Sequence, residues 1–223
     1  MADMDASYDA QPKKGDRLRR LEQSAMSLFA SRGYDGTSLR DIAADAGVPL
    51  SLIDRHFGSK TLFFQEIQMR IWRDLNRERE ALLAPVYADK TTRPDLKEVI
   101  RAFAHPVIAL TMSHPDGRAA IRLIRENTAF MVHHSLRPGE DRAAINERWI
   151  GALLASRPAL TRSQAVWSLS LIINAVYSDQ LLDGWLDGHL PRKEDQASEQ
   201  ITELVVSFCA GGIEALLTAT STQ

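Results

Sequence analysis

The chain has 223 residues, 44% of them hydrophobic and 25% charged, which is enough to bury a real core in one large domain or in a small and a medium one. No apolar run reaches the roughly eighteen residues that a membrane span requires, and the opening MADMDASYDAQPKKGD lacks an apolar signal stretch, so a cytoplasmic location is expected and no membrane partner. A single cysteine, Cys209, excludes a disulfide framework, and a formal net charge of −2 disfavours nucleic-acid binding unless positive charge is gathered locally.

Residues 1–12 are polar, contain Pro12, and read as a disordered tail. Lys13, Lys14 and Gly15 follow, either a solvated extension or a basic arm for a backbone or minor groove. From Asp16 to Arg32, Leu18, Leu21, Ala25, Leu28 and Phe29 recur at helical spacing, and Gly33 ends the helix. Thr37 and Ser38 are good N-cap residues, and Asp41 three positions after Ser38 is close to a capping box. In this second, short helix Leu39, Ile42, Ala43 and Ala46 share one face. Gly47 then supplies the permissive backbone of a sharp turn, Pro49 suits the first turn of a third helix, and Ile53, His56 and Phe57 mark its inward side.

Ala43 is small enough for close helix approach, and its spacing to Gly47, Val48 and Ile53 suits a helix-turn-helix whose second helix lies in the major groove of DNA. An ordinary helical corner has similar spacing and remains the alternative. Between Lys13 and Lys60 nine basic residues face six acidic ones, a net of +3, so positive charge is gathered around this head. On the helix-turn-helix reading, Thr37, Ser38, His56 and Lys60 are assigned to phosphates, while Arg40, Leu50, Ser51, Asp54 and Arg55 face base edges or the neighbouring backbone.

The run LFASRGYDGTSLRDIAADAGVPLSLIDRHFGSKTLFF, Leu28 to Phe64, resembles the N-terminal domain of TetR-type bacterial transcriptional regulators. The resemblance rests on the LFA-RGY end of the first helix, the TSLRDIA second helix, the AGV turn, and a third helix ending in His-Phe before Ser-Lys. It departs at Asp54, where the family commonly has tyrosine, and at Leu50, where it has a basic or polar residue. An acid in the groove is accommodated if it accepts from a cytosine amine or pairs with Arg55 or Arg40. The resemblance implies an all-α protein of about nine helices that binds an operator as a dimer and responds to a small effector, with repression commoner than activation.

Further along, a long helix is expected from Lys60 through Phe63, Phe64, Ile67, Ile71 and Leu75 to the region before Pro85, linking the head to a larger domain. Helices follow over Leu96–Met112, Arg118–His134, Glu140–Ala155, Thr161–Trp185 and Ile201–Leu217, separated by Gly- and Pro-containing breaks. The expected organisation is a tail over 1–12, a helix-turn-helix domain over 13–59, and an effector-binding and dimerisation domain over 60–223.

The run around Ala165–Tyr177 is apolar nearly all round, and such a helix needs cover on more than one side. Val176 there, with Leu204, Phe208, Gly211 and Gly212 of the last helix, is assigned to a four-helix interface with a second copy of the chain; filling a monomer's core is the alternative. Phe103, Asn127, Phe130, Trp149, Trp167, Asn174 and Tyr177 are the candidate lining of a largely apolar effector pocket, although each aromatic among them also serves as plain core.

Enzymatic chemistry is not expected. The six histidines form no metal set, His133 and His134 being adjacent and so pointing apart on a helix, and no His-Glu-x-x-His, Gly-x-Ser-x-Gly or phosphate loop occurs. No metal or cofactor is therefore assigned. The expected partners are operator DNA, a second copy of the chain and an unidentified small effector; the competing readings are a ligand-binding dimer that has lost DNA affinity and an activator of the same fold.

Overall fold

Every regular element among the described residues is a helix. The computed structural model describes residues 14–88, 91–113, 117–125, 140–178 and 194–220. In chain order the helices are α1 (Lys14–Arg32), α2 (Leu39–Asp45), α3 (Leu50–Phe57), α4 (Lys60–Val86), α5 (Leu96–Ser113), α6 (over 117–125), α7 (Glu140–Ser156), α8 (Arg162–Val176) and α9 (Glu194–Thr220). The tail over 1–12, Lys13 of the basic arm, and the expected helical stretches 126–134 and 179–185 lie outside the described residues.

Two boundaries differ from the sequence reading for physical reasons. Pro85 was expected to follow α4 but sits in its last turn, where a missing N–H forfeits one bond; Tyr87 and Ala88 then close onto the carbonyls of Ala84 and Pro85. The helix after Thr161 stops at Val176, with Tyr177 as its cap.

The chain divides into two compact units, Met1–Ile67 and Gln68–Gln223, so the division falls inside α4 rather than at its start, where the sequence reading put it. The reason is packing, since Phe63, Phe64 and Ile67 of α4 are almost wholly buried in the first unit. There Phe64 meets Phe29 edge-on with ring centres 4.8 Å apart, and Phe63 packs on Phe57 at 4.3 Å. Leu21, Ala25, Ile42 and Ile53 fill the rest of this core, and each large apolar side chain fully buried contributes about 1.5–3 kcal/mol. The Ser24 hydroxyl donates to the Ile42 carbonyl at 3.2 Å, fastening α1 to α2.

In the second unit one core runs from Leu75 and Leu83 of α4 through α5, α6, α7 and α8 to Val205, Val206 and Ile213 of α9. α9 packs chiefly along α5. Arg101 bridges to Glu199 and Glu203 across that contact, and Arg157 pairs with Glu214. Cys209 is buried here, and burial pushes its thiol up, so it acts as a small neutral filler.

Candidate nucleic-acid interface and ligand cavity

The helix-turn-helix is held by local bonds before any packing is counted. Ser38 accepts from the Asp41 N–H at 3.1 Å, and the Asp41 carboxylate accepts from the Ser38 N–H at 3.1 Å and the Ser38 hydroxyl at 2.7 Å, a complete capping box. Those bonds, the side-chain one first, hold the Asp41 carboxyl below its ordinary value. After α2 the backbone turns at Gly47 with φ of +62°, a conformation that costs a side-chain-bearing residue about 1–2 kcal/mol. The Val48 N–H donates to the Ala43 carbonyl at 2.9 Å and fixes that turn. Pro49 precedes α3 as its N-cap rather than sitting inside it, and Ile53 anchors α3 with no exposure at all.

With Ile53 inward, α3 presents Ser51, Asp54, Arg55 and His56 to solvent, and Arg40 of α2 is exposed too; Leu50 is half-buried. His56 therefore stands on the outer face, not the inner side to which the spacing assigned it. Thr37 needs the opposite correction. It is 1% exposed, and its hydroxyl donates to the Leu28 carbonyl at 3.1 Å and the Gly33 carbonyl at 2.9 Å, so it ties the end of α1 to the start of α2 and offers no hydroxyl to a phosphate. The Ser38 hydroxyl is exposed but engaged by Asp41. Among the described residues, Asp54 makes no ion pair with Arg40 or Arg55.

Lys60 opens α4 with its Nζ 4.2 Å from the centre of the Tyr34 ring. Tyr34 is itself held by a hydroxyl contact of 2.8 Å to Thr61 and by stacking against Phe29 and Phe64. The cation–π contact restricts the lysine's flexible stem, so Tyr34 positions Lys60. Tyr34 lies in the RGY signature, but residue type and spacing alone give no sign of this role.

The second unit holds a cavity of about 590 Å³. Trp72, Phe103, Ile124, Ile145 and Ile173 supply its apolar wall, and Asn76, Arg79, Arg125, Asn146, Asn174, Tyr177 and Ser178 its polar groups. Of the residues assigned to a pocket by the sequence, Phe103, Asn174 and Tyr177 line this cavity. Trp149 is buried behind, meeting Phe103 edge-on at 5.0 Å, and is outside the cavity wall. Trp167 is 65% exposed on the outer face of α8 and is outside this cavity's wall. Asn127, Phe130, His133 and His134 lie outside the described residues.

Arg79 is the group that the sequence reading missed. It is 3% exposed; its Nε donates to the Phe103 carbonyl at 2.9 Å, Nη1 to the Asn76 side chain at 3.4 Å and Nη2 to the Tyr177 hydroxyl at 3.3 Å, with the guanidinium carbon 3.7 Å from the Phe103 ring centre. Among the described residues no carboxylate pairs with it. Burial pushes its pKa down from the ordinary guanidinium value, opposed by Tyr177, yet a guanidinium stays charged at neutral pH.

α8 and α9 each expose large apolar side chains. Trp167 and Leu171 of α8 are 65% and 61% exposed, Leu204 and Phe208 of α9 70% and 78%. Gly211 and Gly212 lie on an exposed face with open space where a Cβ would stand. Val176 is fully buried in the core with Ala165, Leu169 and Ile172, so it is not an interface residue. By length and composition alone the segment Ser198–Thr218 would also cross a membrane, with a mean hydropathy of 1.5. Its apolar content is split between a core face, Val205, Val206, Cys209 and Ile213, and the outward face bearing Leu204 and Phe208.

Two family models match the chain. One, bacterial regulatory proteins of the tetR family, covers residues 23–67; the other, the tetracyclin repressor-like C-terminal domain, covers residues 101–212, half of the chain. No curated protein matches its sequence. Among solved structures the fold is similar to a TetR-like transcriptional regulator from Rhodococcus sp. RHA1, with a TM-score of 0.64 and 18% identity over 92% of this chain and 99% of that one. A ketosteroid transcriptional regulator of Mycobacterium tuberculosis aligns with a TM-score of 0.61 and 18% identity, covering 88% of this chain and 95% of the other. A TetR variant from Acinetobacter baumannii solved with minocycline aligns at 0.55 with 17% identity, over 92% and 98% of the two chains.

Proposed function

The chain belongs to the TetR family of bacterial regulatory proteins, DNA-binding transcription regulators that respond to ligands, and on that premise we propose that it is a repressor which binds a pseudo-palindromic operator as a homodimer and is released by a small effector. The observation that carries this reading is the outward face of α3, with Ser51, Asp54, Arg55 and His56 exposed on a helix anchored by Ile53. Arg55, with Arg40 of α2, reads base edges or the adjacent backbone, and Leu50 packs on a thymine methyl. Lys60, steadied by Tyr34, meets a phosphate near the start of α4.

The exposed apolar side chains of α8 and α9 support dimerisation through these helices. An isologous interface places each residue twice, so Trp167, Leu171, Leu204 and Phe208 supply eight large apolar side chains, the kind of desolvated centre that dominates interface energy. A head of modest charge needs this pairing, because two half-sites engaged together gain by effective concentration what each lacks in phosphate contacts.

The cavity in the second unit takes the effector. Its mixture of apolar wall and a few placed polar groups suits a small organic molecule, and two structural neighbours point the same way, one named for ketosteroids and one solved with minocycline. Effector binding would favour a spacing of the two heads that misfits the operator, with a coupling of about 1–3 kcal/mol. α4 belongs to both units and is the covalent route for that coupling. One observation favours a second reading, a ligand-binding dimer with weak DNA affinity: Asp54 places an unpaired acid on the reading face.

A gel-shift series with the full-length protein and DNA from its own promoter region, run across increasing salt, tests the proposal. A retarded complex that weakens steeply with salt supports it. The absence of any shift at low salt, from a protein that sediments as a dimer, would favour the second reading.

A further inference from the structure

We propose that the effector is an amphipathic monocarboxylic acid whose anionic head pairs with Arg79 inside the second unit's cavity while its apolar body lies against Trp72, Phe103, Ile124 and Ile173. The inference rests on the reading of that cavity as the effector site and deepens it. Three observations carry it. Arg79 is buried yet faces no carboxylate among the described residues, although a buried charge is normally paired, and removing one from water costs several kcal/mol. A guanidinium has five N–H donors, and the protein engages three, two of them at the long distances of 3.3 and 3.4 Å. Among the described residues, the cavity wall carries neither aspartate nor glutamate.

The chemistry of the ligand follows from that arrangement. A planar fork with free donors matches a carboxylate, and pairing with a charged acceptor strengthens each bond. Tyr177 and Asn76, already turned toward the guanidinium, stand beside the place where carboxylate oxygens would sit. Of the two wall arginines only Arg79 is fully buried among the described residues, and it matches a single anionic head. Binding such an acid would supply Arg79 with a countercharge that the described residues do not.

The test compares decanoate with decanol, probes of the same chain length that differ in the charged head, by calorimetric titration of the full-length protein. The proposal predicts that decanoate binds about ten- to a hundredfold more tightly than decanol. Arg79→Gln should abolish that preference, read as the ratio of the two affinities, and Arg79→Lys should keep part of it. Should Arg79→Gln fail to fold, the wild-type comparison and the lysine variant decide. Equal or tighter binding of decanol by the wild type overturns the inference but leaves the cavity as an effector site. An acid preference that persists unchanged in a folded Arg79→Gln or Arg79→Lys protein assigns Arg79 a structural role and also overturns it. Binding of neither probe removes the cavity reading and the inference together.

Discussion

Truncating Phe208 to alanine separates the interface reading of α9 from a core reading. The ring is 78% exposed, so its removal opens no cavity in the monomer, and the fold should keep its stability to within about 0.5 kcal/mol. In a two-fold interface the same ring is buried twice. Full burial of a phenylalanine contributes about 1.5–3 kcal/mol, so the dimer should weaken by up to about 3–6 kcal/mol, a hundredfold or more in dissociation constant. The companion variant is Val176→Ala, at a position with no exposure, which should lower stability by about 1–3 kcal/mol and leave association of the folded chains unchanged. Sedimentation velocity over a concentration series, with thermal melts of both variants, reads the two effects apart. A Phe208→Ala protein that remains as tightly dimeric as the wild type would refute the reasoning, as would a Val176→Ala protein that dissociates without losing thermal stability.

Other expectations follow from the head. Thr37→Val leaves the Leu28 and Gly33 carbonyls without their hydroxyl donor and should destabilise the helix-turn-helix by about 1–3 kcal/mol in denaturant melts, whereas Thr37→Ser should be close to neutral. Operator affinity measured on folded protein should change little in the serine variant; a large loss there would return Thr37 to the phosphate contacts. Arg40→Ala and Arg55→Ala should each weaken operator binding by about 1–3 kcal/mol and relax sequence preference, as read by footprinting, and an unchanged footprint would remove these residues from the interface. The depressed Asp41 carboxyl sets a pH dependence with a definite sign. Its contribution is full above the ordinary carboxyl value of 3.8 and is lost as pH falls through the lower folded value, so acid melts of the wild type should show a loss at low pH that Asp41→Asn lacks.

How much of this was legible in the sequence depended on the range of the physics involved. The capping box of Ser38 and Asp41 and the positive φ at Gly47 are decided within a few residues, and the spacing disclosed both. Thr37 looked like a surface hydroxyl because its type suits an N-cap; that its hydroxyl closes onto Leu28 and Gly33 depends on how α1 ends. Trp167 was grouped with pocket aromatics by residue type, although phase separates it: Ala165, Leu169, Ile172 and Val176 form one stripe of α8, and Trp167 and Leu171 another. The same phase argument removes Val176 from the interface.

Arg79 hid in the charged run RDLNRERE, which reads as a solvated face. Its signal was position rather than company. Gln68, Trp72, Leu75, Asn76, Arg79 and Leu83 recur at three- and four-residue steps, so three polar residues lie on the apolar stripe of α4, and all are buried. Gln68 donates to the Leu123 carbonyl at 2.8 Å and Asn76 to the Trp72 carbonyl at 2.8 Å. Among the described residues, Arg79 alone brings to that stripe a charge without a countercharge.

Selection of binding sites from a random pool of duplex DNA by the full-length protein tests the central claim most directly. The account predicts enrichment of a pseudo-palindrome with half-sites spaced by the duplex repeat, bound with a steep inverse dependence on salt and lost when Arg40 and Arg55 are both replaced by alanine. A pool that gains no common sequence after repeated rounds, or one whose enrichment survives the double replacement, would contradict it.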